Sequence, residues 1–170
     1  MLGDDFYERL VKLEGKIREL TEPPEIKFKK LRDTAVAPTR AYETDSGYDI
    51  YWDGEVTKIR GGQTKVFPCG IAVQMPPGWE CQIRPRSSMS RAGCITAFGT
   101  VDNAFTGELG VTLSCQASDR DWVPQMIEIH PGNKIAQLVF VRRDPVQLVE
   151  TLEDLAPTDR GSNGWGSSGK

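Results

Sequence analysis

The 170-residue chain has one histidine, and its four cysteines, Cys69, Cys81, Cys94 and Cys115, include no C-x-x-C pair. That composition argues against a zinc site and leaves the cysteines as small apolar residues of a reducing compartment. No apolar run approaches the 18 residues of a membrane span, and the N-terminus has no signal-peptide core, so a soluble, cytoplasmic protein is expected. Net charge is only −3, so any site for nucleotide or nucleic acid has to be a local basic cluster. Internal repeats are absent. What remains is an ordinary globular composition, about 46% apolar once glycine is counted and tyrosine set aside, in a length that suits one domain.

Residues 4–20, DDFYERLVKLEGKIREL, carry Phe6, Leu10, Leu13, Ile17 and Leu20 at alternating spacings of four and three. This pattern predicts a helix with a short heptad seam, supported by Glu8–Lys12 and Glu14–Arg18 at i,i+4. Pro23 and Pro24 end it. So short a helix is marginal by itself. Its seam must dock, either on its own subunit or in a self-associating bundle. After residue 25 the chain turns to short β-rich runs (IKFKKL, TKVFPCGIAVQM, ECQIRP, GELGVTLSC, MIEIHP, KIAQLVFVRR) broken by Gly, Pro, Asp and Asn. Their spacing predicts an all-β sandwich, jelly roll or small barrel. Residues 116–125, QASDRDWVPQ, read as a polar loop.

Four stretches could carry chemistry. RPRSSMSR sets Arg84, Arg86 and Arg91 around Ser87, Ser88 and Ser90. Guanidinium forks and hydroxyls suit phosphate oxygens, although the same residues make a solvated basic turn. In GTVDNAFTGELGV, Gly99 and Gly107 bracket a predicted hairpin with Asp102 beside Val101, Ala104 and Phe105. That carboxylate could serve as a general base for water, or simply cap a turn. Gln137 interrupts the apolar run of HPGNKIAQLVF, and its amide needs a backbone or ligand partner. The tail, RGSNGWGSSGK, has the G-x-x-x-x-G-K outline of a phosphate loop, but Lys170 is the last residue, so no helix follows to complete one.

Together, AYETDSGYDIY, PRSSMSR, GTVDNAFTGELG, HPGNKIAQL and RGSNGWGSSG resemble, in order, the five motifs of the trimeric dUTPases. The resemblance covers about residues 26–170. It implies an all-β, jelly-roll-like barrel with an added N-terminal helix, divided as a 1–25 extension, a 26–159 body and a 160–170 lid. It also implies a homotrimer that hydrolyses dUTP to dUMP and pyrophosphate, with Mg²⁺ held mainly by the triphosphate and no need of nucleic acid or membrane. Carried over by position, Asp102 is the base that activates water for attack on the α-phosphorus. Arg86, Ser87, Ser88 and Gln137 hold phosphates, while Gly99, Thr100 and Val101 read uracil through their main chain. Phe105 packs under the sugar, and Asp49 supports the metal–phosphate region. Arg160, Gly166, Ser167 and Ser168 meet phosphates from the tail, and Trp165 covers the base.

The chain departs from the family pattern in three places. Phe105 stands where Tyr is usual, Trp165 where Phe is usual, and G-N-K where G-D-R is common. The dCTP deaminases share the fold and some of these motifs, but they carry a glutamate five residues past the second glycine, where this chain has Thr112. A nucleotide-gated regulatory binding protein is the alternative from another class.

Overall fold

The computed structural model describes residues 4–116 and 126–163. The predicted helix is present as α1 (Asp4–Thr21). Among the described residues its ion pairs are Asp5–Arg9 and Arg18–Glu22, so Arg18 reaches four residues forward, just past the helix end, and not back to Glu14. Eleven described strands follow: β1 (Lys27–Lys30), β2 (Tyr48–Tyr51), β3 (Thr57–Arg60), β4 (Thr64–Pro68), β5 (Ile71–Gln74), β6 (Trp79–Arg84), β7 (Cys94–Thr96), β8 (Gly99–Val101), β9 (Gly110–Cys115), β10 (Met126–Ile129) and β11 (Lys134–Arg142). A single short helix, α2 (Ser87–Arg91), lies between β6 and β7.

All described ladders are antiparallel: a four-stranded sheet in the order β2-β11-β6-β8, a three-stranded sheet β4-β9-β7, and the pairs β1-β5 and β3-β10. The architecture is the expected jelly-roll-like all-β fold with an added helix, but these ladders do not close into one continuous barrel. Alternation explains how they pack. On β9, Val111, Leu113 and Cys115 are buried, while Gly110, Thr112 and Ser114 face outward. Phe67 of the neighbouring β4 and, from the other sheets, Ile50, Ile59, Cys81, Ile129 and Leu138 meet them in one apolar core. Burial pushes the thiols of Cys69 and Cys81 up to about 12 and that of Cys94 to about 11, so they stay protonated and pack as small hydrophobes.

Two sequence expectations need correction. GTVDNAFTGELGV is not a hairpin: β8 pairs with β6, whereas β9 pairs with β4 and β7 in a different sheet. The chain makes a tight turn after β8, with the Phe105 N–H donating to the Asp102 carbonyl (3.0 Å), and then crosses between sheets. RPRSSMSR is not a plain turn, because its serines begin α2, which Met89 fastens to the core. The predicted 116–125 loop lies, apart from Gln116, outside the described residues.

Candidate active site

A bulge in β11 builds the first half of the site. Register shifts between Lys134 and Ala136, so Ile135 and Ala136 are both fully buried and the alternation reverses. Lys134 and Gln137, three residues apart, therefore line the same cleft, which an unbroken strand would forbid. Gln137 sits opposite Asp49 on β2 and opposite Arg84 on β6. The Arg86 Nε donates to Asp49 Oδ1 (2.6 Å) and the Lys134 Nζ to Asp49 Oδ2 (2.8 Å). Asp49 thus orients two cations at once, and its bond holds the Lys134 ammonium above its usual range. Arg86 Nη1 also donates to Ser88 Oγ (3.1 Å) and the Lys134 carbonyl (3.2 Å).

The cleft around these groups measures about 310 Å³, with Ser46, Gly47 and Ser87 on its walls. Gln137 Nε2 donates to the Pro85 carbonyl (2.9 Å), so the partner its amide needed is backbone. Gly47 makes this arrangement possible, because a Cβ there would lie 2.3 Å from Gln137 Oε1. Arg86 and Lys134 are balanced by Asp49 and Asp45 in the lining, and hydroxyls and an amide surround the two cations. Such a donor set suits a phosphate chain.

The second half forms separately. β8 is the edge of its sheet, so the main chain of Gly99, Thr100 and Val101 pairs with β6 on one side and leaves its other side open. A cleft of about 280 Å³ runs along it, lined also by Ile83, Asp102, Phe105 and Glu108. Asp102 is exposed, and its carboxylate makes no hydrogen bond or ion pair among the described residues. The next residue fixes its position, since Asn103 Nδ2 donates to the Pro76 carbonyl (2.6 Å) and approaches those of Met75 and Trp79 (3.3 Å each). Phe105, 47% exposed, lies over Gly107, where a Cβ would be 2.7 Å from the ring. The glycine leaves room for the tip of the ring against the loop.

No lining residue is common to the two clefts. Arg160 is exposed, with its Nε donating to the Asn163 carbonyl (3.1 Å), and it lines neither cleft. Trp165, Gly166, Ser167 and Ser168 lie outside the described residues. Sequence reasoning missed Lys134 as a cleft residue, although the G-N-K departure marked its position. It also missed a network beside the second cleft. Arg32 donates through Nε and Nη2 to Asp53 (2.6 and 2.8 Å), through Nη1 to Glu108 (2.6 Å), and from Nη2 to the Pro68 carbonyl (3.0 Å). Glu108 also accepts from the Gly70 N–H (2.7 Å). Among the described residues, no three His, Cys, Asp or Glu side chains gather as metal ligands.

The dUTPase family model matches residues 33–169. A deoxyuridine 5'-triphosphate nucleotidohydrolase of Crocosphaera subtropica is 36% identical over 150 residues, covering 85% of this chain and 99% of that protein. The dUTPase of Staphylococcus bacteriophage 80alpha, solved with dUPNHPP, superposes with a TM-score of 0.78 at 26% identity, covering 86% of this chain and 99% of that one. A mutant dUTPase from phage phi11 of S. aureus, in which a structural Mg(II) ion is coordinated, matches at 25% identity and a TM-score of 0.68, covering 76% and 97%.

Proposed function

The chain belongs to the dUTPase family, and from that membership we propose that it hydrolyses dUTP to dUMP and pyrophosphate by attack of water on the α-phosphorus. Asp102 takes the proton of that water. Its carboxylate is exposed, free of partners among the described residues, and held at the end of a strand whose open main-chain edge lies in the same cleft. That edge offers N–H and C=O groups in line, as a uracil ring needs for pairing-like contacts. A base read there presents the attached sugar to Phe105 and its phosphates toward Asp102. Phosphoryl transfer depends mainly on positioning and charge neutralisation, so one base and many donors suffice.

The observation that carries this reading is the division of labour between the two clefts. One holds the base-reading edge and the general base. The other holds Arg86, Lys134, Ser87 and Gln137, and no residue lines both. A complete site then takes the first from one subunit and the second from a neighbour, in a homotrimer whose heterologous contacts close into a ring. Arg160 and the tail residues Trp165 to Ser168 cover the nucleotide from a third chain.

Mg²⁺ fits this donor set as a companion of the substrate. Asp49 is already bonded to Arg86 and Lys134, and Asp45 accepts the Tyr42 N–H, so the cleft offers cations and neutral donors to phosphate oxygens and leaves the metal mainly to those oxygens and water. Bound in that way, it neutralises charge on the triphosphate. The test is Asp102→Asn. Binding of a non-hydrolysable dUTP analogue is retained and turnover falls by about 10²–10⁴-fold, the range of a general base. Near-normal turnover would remove Asp102 from the role.

A further inference from the structure

Every residue of α1 with a described side chain is exposed, including Phe6, Leu10, Leu13 and Ile17 along the seam. Its own contributions are small: the pairs Asp5–Arg9 and Arg18–Glu22 are surface ion pairs at 3.9 and 3.6 Å, and Gly15 weakens the helix. An 18-residue helix needs a covered face to be stable in water. The family match begins at residue 33, beyond its end, so the fold shared with relatives supplies no described place for it.

The sequence around the seam says what covers it. With Leu10 and Ile17 at position a of the heptad and Phe6 and Leu13 at d, one flank (g) carries Arg9 and Lys16 and the other (e) carries Tyr7, Glu14 and Thr21. In a parallel pair each g residue meets the e residue of the following heptad on its partner, which sets Arg9 against Glu14. In an antiparallel pair g meets g, and Arg9 and Lys16 would face like charges. Tyr7 at e and Val11 at b are exposed beside the seam and extend its apolar flank. We propose that α1 is covered by second copies of itself, in a parallel, in-register bundle of the protomers' N-terminal helices. The proposal rests on the homotrimer reading, because like helices that meet around a threefold axis run parallel.

The experiment is oxidative cross-linking of the full chain carrying Leu13→Cys at d, with Glu8→Cys on the outer face as the control. The four native cysteines are buried and do not compete. In a parallel bundle the residue-13 thiols of two chains come within disulfide reach, so mild oxidation should give a covalent dimer about tenfold faster than for Glu8→Cys. Equal rates for the two variants, or no dimer from Leu13→Cys, would overturn the bundle. The same preparations are assayed with dUTP. Turnover without preferential cross-linking refutes the bundle and leaves the enzyme reading standing; cross-linking without turnover does the reverse.

Discussion

Replacing Arg32 by Met tests whether the network beside the second cleft holds the body together. The Asp53 side chain is 0% exposed and receives two hydrogen bonds from Arg32, at 2.6 and 2.8 Å, and one from Thr34 at 3.0 Å. Arg32 itself is 38% exposed and Glu108 33%. Removing one partner of a fully buried pair costs about 3–5 kcal/mol, and an exposed pair is worth well under about 1. Here the surviving carboxylate is buried, but water can reach the position of the lost guanidinium, and Thr34 remains. Arg32→Met should therefore destabilise by about 2–3 kcal/mol. The measurement is the urea midpoint at fixed protein concentration, since association shifts apparent stability. Arg32→Met combined with Asp53→Leu should recover part of the loss, because an apolar pair no longer strands a buried charge. A loss below about 0.5 kcal/mol, or a double variant whose cost is the plain sum, would refute the reasoning. The pH dependence has a definite sign. The Arg32 hydrogen bonds hold the Asp53 carboxyl below its usual range, so its contribution is full above the ordinary carboxylate pKa and fades as pH falls through the lower, folded value. The gap between wild type and Arg32→Met should be flat near neutrality and close below about pH 4.

Two further outcomes bear on the site itself. Phe105→Ala should narrow the ratio of kcat/KM for dUTP over UTP, by about tenfold or more if the ring excludes a 2′-hydroxyl by shape; an unchanged ratio would make the ring a packing residue only. Removing residues 160–170 should cut kcat severely while sedimentation still shows a trimer, and normal turnover would show that the tail is no lid.

The longer strands were legible because their apolar alternation is local. KIAQLVFVRR and GELGVTLSC contain the whole of β11 and β9. By contrast β3, β7 and β8 are three or four residues each, too short for a period to show. The supposed hairpin failed for another reason. Whether two neighbouring strands pair is decided by the sheets they join, and β8 and β9 join different ones. Arg86 and Gln137 stood out from their own stretches and Asp49 through the resemblance, whereas the bulge that brings Lys134 alongside Gln137 leaves no mark in sequence. Arg32 and Glu108 are 76 residues apart and Arg32 and Asp53 are 21 apart, so no spacing rule connects them.

The separation of the two clefts on one chain has a genetic consequence under the proposed shared site. A chain crippled at Asp102 and a chain crippled at Arg86 are each inactive alone, yet each keeps the cleft the other has lost. Coexpressed in equal amounts and assembled at random into rings, they would restore about one site in four, since only a neighbour pair in the right order joins two intact clefts. Two null alleles of one gene would complement each other, and a single mutant allele beside a normal one would lower activity without abolishing it.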